Sequence, residues 1–207
     1  MNDRISWQQV PGWFNFDDVY QQAVDRAPPS GAHFVEVGVL FGKSALFMAE
    51  AIQKSGKKIT FDAVDTFGIG HDAIRNGMSR CREHYPTNDH TRQQELLEVS
   101  RLTGHLGVAE HVVELSGLGN LINLVVASGQ VHSQSYEDES LDFVFVDAQH
   151  TYDDTVQILR AFVPKLRRGG VLAGHDYSDA FPGVRRAVRD VLGEKIEVSR
   201  ISFLWTK

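Results

Sequence analysis

Apolar positions along the chain switch between a strand period and a helix period several times. Phe34-Val35-Glu36-Val37 is a short apolar run that predicts a buried strand. Gly38 to Gly42 then predicts a tight turn, and Leu46, Phe47, Glu50 and Ala51 recur at helical spacing up to a stop at Gly56. Upstream, Trp7, Trp13, Phe14 and Phe16 crowd around Pro11-Gly12; these rings either pin the N-terminal segment to the core or form a flap over a ligand. Phe16, Val19, Tyr20 and Ala23 predict a helix, with Asn15 or Asp17 as its cap and Pro28-Pro29 as its stop. Residues 1–30 are thus an aromatic segment and a helix ahead of the first strand.

Downstream, Ile59 to Asp65 reads as a second strand. From 66 to 120 the pattern loosens around one helix, Thr91 to Leu106, with Leu96, Val99, Thr103 and Leu106 on one face. An irregular insertion of that length predicts a lid that shapes a substrate pocket. Strands follow at Leu121–Ala127, Leu141–Asp147 and Val171–Asp176, with two short ones between Ile196 and Trp205. Between them lie helices at Tyr152–Leu166, closed by Arg167-Arg168-Gly169-Gly170, and at Gly183–Leu192. Strand and helix in alternation predict an α/β fold, a doubly wound and mostly parallel sheet with helices on both faces.

Composition narrows the picture. A chain of 207 residues, 42% hydrophobic and 23% charged, fills one domain spanning 1–207. Its net charge of -6 argues against nucleic acid held through phosphates and for a small or neutral partner. The single Cys81 rules out an internal disulfide, and the start Met-Asn-Asp-Arg has no apolar leader, which fits the cytoplasm. With no apolar run of about 18 residues, no membrane span is expected. Association into a homodimer is a reasonable expectation for a lid with apolar faces.

The glycine spacing says which ligand the first turn admits. A dinucleotide fold needs G-x-G-x-x-G, yet Val39-Leu40 follow Gly38 here and the next glycine is Gly42; a Walker lysine pattern is missing too. A nucleoside without phosphates needs only the turn glycines and a carboxylate, and Glu36 stands two residues before the turn. Asp65 lies one helix and one strand further on, the interval at which an acidic side chain reaches a bound ribose. Its bland alternative is a helix cap or turn residue.

At the far strand tips, Asp147 and the pair His175-Asp176 end adjacent parallel strands. Carboxylates that face each other there repel, and a divalent cation such as Mg²⁺ or Mn²⁺ relieves the repulsion. His150, three residues after Asp147, has an ordinary pKa suited to a general base. Taken singly, Asp147 also reads as a helix cap, His150 as the partner of a backbone carbonyl, and Asp176 as part of a turn with Tyr177. The histidines of the insertion, His71, His84, His90, His105 and His111, lack metal-site spacing and read as solvated surface residues.

Four motifs in order, Glu36-Val-Gly38-Val-Leu-Phe-Gly42-Lys-Ser44, Phe61-Asp-Ala-Val-Asp65-Thr-Phe-Gly68, Asp147-Ala-Gln-His150-Thr-Tyr152 and Gly174-His175-Asp176-Tyr177, resemble a class I S-adenosylmethionine-dependent methyltransferase. The chain is most similar to the branch of metal-dependent macrolide and aminocoumarin sugar O-methyltransferases, over roughly residues 33 to 205. The resemblance implies strand order 3-2-1-4-5-7-6 and S-adenosylmethionine bound by Glu36, Gly38, Gly42, Ser44, Asp65, Ser128 and Asp147. Ser128 stands where the family touches the adenine amino group, with a turn serine as the equal alternative. The resemblance further implies metal binding by Asp147 and Asp176, with His175 in place of an acidic residue, and His150 as the base for a hydroxyl on a small molecule or sugar. Tyr152 and Tyr177 line the pocket or pack in the core. Two rivals remain at this point: a non-catalytic module that binds the same donor, and a nicotinamide-dependent oxidoreductase on a similar sheet.

Overall fold

A computed structural model describes residues 4–68, 90–147 and 149–207. Strands β1 (Ala32–Val37), β2 (Ile59–Asp65), β3 (Asn123–Val126), β4 (Leu141–Val146), β5 (Leu166–Gly174), β6 (Glu197–Ser199) and β7 (Ser202–Thr206) form one sheet. Its order is 3-2-1-4-5-7-6, as the resemblance implies. The strands from β3 across to β5 pair in parallel, and β7 runs antiparallel to both β5 and β6.

Alternation along each strand divides the core in two. Phe34, Phe61, Ala63, Phe143 and Phe145 face α1 (Asp17–Arg26), α2 (Lys43–Ser55) and α3 (His90–Ser116). Val35, Val37, Val64, Val144 and Leu172 face α5 (Tyr152–Phe162) and α6 (Pro182–Leu192). A single-turn helix, α4 (Gly129–His132), follows β3. No described helix is long and apolar enough to cross a membrane.

Several elements differ from their sequence reading. Helix α5 stops at Phe162, and Leu166 and the two arginines belong to β5 instead. The cause is electrostatic as well as steric: Arg167 bonds Asp142 of β4 at 2.6 Å across a register shift between those strands. Strand β3 is shorter than the apolar run and half-exposed, because it is the sheet's edge and only one neighbour, β2, covers it. Helix α3 runs ten residues past the predicted end, kinked at Gly104 (φ 71°, ψ −164°). Beyond the kink, Val108, Ala109 and Val112 are buried in the core beside Phe41. That part of the predicted lid packs into the core, and Gly70, Gly77, Cys81, Pro86, His71 and His84 lie outside the described residues. Three of the four N-terminal rings pack inward, whereas Trp13 is exposed: Trp7 and Phe14 meet edge to face at 5.2 Å, Phe14 lies 4.9 Å from Phe47 of α2, and Phe16 is buried. Neither Asn15 nor Asp17 caps α1; Phe16 holds the cap position with no side-chain bond, and its carbonyl accepts from Tyr20 N–H.

Candidate active site

Parallel strands end together, and the ladder here continues one residue past each tip. Gly38 N–H donates to Val64 O, Asp147 N–H to Val37 O, and His175 N–H to Val146 O, at 2.8–3.0 Å. The carboxyl ends of β1, β2, β4 and β5 thereby form one rim, with every loop that leaves it held in register.

The glycine turn is shaped by Asp65. Its Oδ2 accepts from Val39 N–H at 2.7 Å and Leu40 N–H at 2.9 Å, and its Oδ1 accepts from Phe67 N–H at 2.7 Å. Gly38 (φ 99°) and Gly42 (φ 86°) take left-handed conformations that glycine adopts without steric cost. Gly42 also lies against α3, where an added Cβ would sit 3.7 Å from Val112 and 3.9–4.0 Å from Ala109. Asp65 thus serves as a turn-organising residue, and a carboxylate offers about four lone-pair sites, so one remains for a ligand hydroxyl.

Glu36 and Ser44 bond each other beside the glycine turn. Glu36 is 1% exposed, and its Oε1 accepts the Ser44 hydroxyl. Its Oε2 and the Tyr20 hydroxyl are buried without a well-aligned hydrogen bond. Burial pushes the Glu36 carboxyl up to about 8, against the lowering effect of Ser44. Ser128 caps α4, its hydroxyl accepting from Val131 N–H at 3.4 Å.

At the other end of the rim, Asp147, His175 and Asp176 converge. One donor atom from each lies within 4.8 Å of the others. His175 Nδ1 is 3.2 Å from Asp176 Oδ1 and 3.8 Å from Asp147 Oδ1. Asp176 reaches this position through a left-handed backbone (φ 59°), a conformation that aspartate tolerates better than most residues. His150 Nε2 bonds Asp176 Oδ2 at 2.7 Å, and its ring lies 4.7 Å from Phe181. Thr151, rather than Asp147, caps α5 by accepting from Asp154 N–H.

The charges of these groups are interlocked. Burial pushes Asp147 up to about 6, although His175 opposes it. Burial would also raise Asp176, but hydrogen bonds from His150 and His175 hold it well below the usual carboxylate range. The Asp176 hydrogen bond raises His150. For His175, burial acts downward, yet the bond to Asp176 and the Asp147 charge leave it raised. A nitrogen and two carboxylates at this spacing suit a first-row transition cation such as Mn²⁺ better than Mg²⁺, so of the two expected metals the donor set fits Mn²⁺.

Two participants escaped the sequence reading. His105 was expected on the surface, but it is 7% exposed, sits edge to face on Phe41 of the glycine turn at 5.0 Å, and has no partner for Nε2. The signal was present: His105, Val108, Ala109 and Val112 share one helical face. Asn15, read as a cap, instead bonds His175 Nε2 through Oδ1 at 2.8 Å; no local pattern marks a contact that spans 160 positions.

A methyltransferase-domain family matches residues 35–177, more than half of the chain. No curated protein matches it. Among solved structures, CalS11, a TDP-rhamnose 3'-O-methyltransferase of calicheamicin biosynthesis, is similar at 16% identity and TM-score 0.54, over 92% of this chain and 76% of that one. The O-methyltransferase NovP is similar at 17% identity and TM-score 0.56, covering 92% and 78%. An S-adenosylmethionine-dependent O-methyltransferase from Thermotoga maritima is similar at 13% identity and TM-score 0.56, covering 92% and 64%. At these identities the structures speak for the fold.

Proposed function

The chain belongs to the methyltransferase-domain family, a class I S-adenosylmethionine-dependent enzyme, and on that premise we propose that it methylates a hydroxyl of a small molecule or sugar with the help of a divalent cation. The observation that carries this reading is the meeting of Asp147, His175, Asp176 and His150 on the rim that also bears the glycine turn. CalS11 and NovP, both O-methyltransferases, support the acceptor type by likeness of fold.

In this reading the residues divide the work by position. Gly38 and Gly42 let the donor nucleoside approach the backbone, and Asp65 offers its remaining lone pair to a ribose hydroxyl. Glu36 and Ser44, joined by a hydrogen bond beside the glycine turn, belong to the same donor-binding set. Asp147, His175 and Asp176 hold the cation, which supplies positive charge that makes a neighbouring hydroxyl more acidic. His150 donates Nε2–H to Asp176, which leaves Nδ1 as the acceptor for the acceptor hydroxyl's proton. The methyl transfer is an in-line displacement, so holding the two reactants in line contributes more than covalent participation.

The test is methyl transfer from labelled S-adenosylmethionine to a panel of sugar and phenolic hydroxyls, with EDTA and with Mn²⁺ or Mg²⁺ restored. The expected result is transfer that EDTA abolishes and Mn²⁺ restores, and a kcat about 10²–10⁴ lower in His150→Ala at unchanged donor affinity. EDTA-insensitive turnover would remove the cation from the reading. Donor binding with no transfer to any hydroxyl would favour a non-catalytic module.

A further inference from the structure

We propose that Asn15 is a positioning residue for the cation: it holds the proton of His175 on Nε2 so that Nδ1 faces Asp147 and Asp176 as a ligand atom. The inference rests on the metal reading above and adds a part of the chain that the reading does not use.

An imidazole binds a cation through one nitrogen, and the hydrogen bond made by the other decides which nitrogen is available. His175 offers both nitrogens to different partners. Nε2 lies 2.8 Å from Asn15 Oδ1, while Nδ1 lies 3.2 Å and 3.8 Å from the two carboxylates. An amide oxygen only accepts, so Nε2 is the donor and its proton stays on that side. With no cation bound, Nδ1 donates to Asp176; because Asn15 holds the Nε2 proton, Nδ1 is the nitrogen that can give up its proton, and its in-plane lone pair would then point into the group of three. Reversing the Asn15 amide would present two N–H donors to Nε2, put the proton on Nδ1 and block the ligand position.

Contacts of Asn15 and of the residues that follow it keep the amide where it can do this. The backbone oxygen of Asn15 accepts from the Arg200 guanidinium, which also bonds the Asp17 carboxylate at 2.7 Å. Ser199 donates to Asp18 one turn further on. On the next residue, the Phe16 ring stacks on Phe145 at 4.4 Å and lies 5.1 Å from the His175 ring. The imidazole is therefore fixed on one side by an aromatic face and at one end by an amide, and the side chain is only 8% exposed. Residues ahead of α1, which would otherwise read as a tail pinned by aromatic rings, complete a second layer around the cation.

Two measurements test this on the full chain. Mn²⁺ titration followed by electron paramagnetic resonance compares wild type, Asn15→Ala and Asn15→Asp, and ¹⁵N-histidine NMR of the metal-free proteins reads the tautomer of His175. Loss of an outer partner typically weakens a metal by about 10–100-fold, so Asn15→Ala is expected to bind Mn²⁺ that much more weakly. Asn15→Asp, which keeps an acceptor in place, is expected to bind at least as tightly as wild type. The NMR signal of a protonated Nε2 should be present in wild type and Asn15→Asp and lost or exchange-broadened in Asn15→Ala. A purely structural role for Asn15 would lower the melting temperature of both variants without this split. Equal Mn²⁺ affinity in wild type and Asn15→Ala, or a metal-free His175 protonated on Nδ1 alone, overturns the assignment while the metal reading stands. Failure of the wild type to take up Mn²⁺ overturns the metal reading itself, and the assignment with it.

Discussion

Replacing Glu36 by glutamine keeps the shape of a side chain that is 1% exposed and removes its ability to ionise. In the folded protein burial keeps the carboxyl neutral up to about pH 8, whereas the ordinary value is 4.5. Between those two pH values unfolding releases a proton, so stability falls as pH rises. The contribution is whole below pH 4.5 and is lost as pH climbs through about 8. At 1.36 kcal/mol per pH unit, the interval from 4.5 to about 8 corresponds to at most about 5 kcal/mol. Urea unfolding at pH 5, 6, 7, 8 and 9 measures it directly, as the midpoint at constant slope. The stability of Glu36→Gln relative to wild type is expected to rise by up to about 1.4 kcal/mol per pH unit from pH 5 and to level off above pH 8. Parallel pH profiles for the two proteins would refute a neutral Glu36 and imply that water or a shifted Tyr20 reaches Oε2.

Other perturbations probe the turn. Asp65→Ala leaves three backbone N–H groups, those of Val39, Leu40 and Phe67, without their acceptor. It should cost about 2–4 kcal/mol in urea unfolding and weaken S-adenosylmethionine binding at least about tenfold by calorimetry. Unchanged donor affinity would take Asp65 out of ribose binding. Gly42→Ala puts a Cβ on a left-handed residue in ordinary contact with Ala109 and Val112, so the backbone conformation alone should cost about 1–2 kcal/mol. A variant as stable as wild type would show that the turn does not need this left-handed conformation.

Hydrophobic period made most of the fold legible, because each buried strand had to be apolar on both faces and each covering helix on one. The rim followed from it, since parallel strands that are read correctly place Asp65, Asp147 and His175 at one edge. What local pattern missed was decided by neighbours distant in sequence. Arg167 and Arg168 suit a helix end as well as a strand, and only Asp142 opposite decides for the strand. The end of α3 was missed because Gly104 and Gly107 interrupt the pattern in a helix that continues against Phe41. His105 was misplaced for the same reason: once the helix is taken to end at Leu106, the residues that share its face disappear. Asn15 carries a cap's composition, yet its side chain is drawn to His175 instead of to the helix that it precedes.

The union of Asn15 with His175 joins positions separated by 160 residues, while the hairpin at Ser199 and Arg200 grips the same segment from the other end of the chain. Closing so long a loop carries a conformational cost, and the segment ahead of α1 is expected to dock after the central strands pair. Cation uptake during refolding should accordingly lag behind the recovery of secondary structure and mark the final step. In the native protein, a protease cut before α1 should weaken cation binding about as much as Asn15→Ala does, with the three ligands still on the sheet.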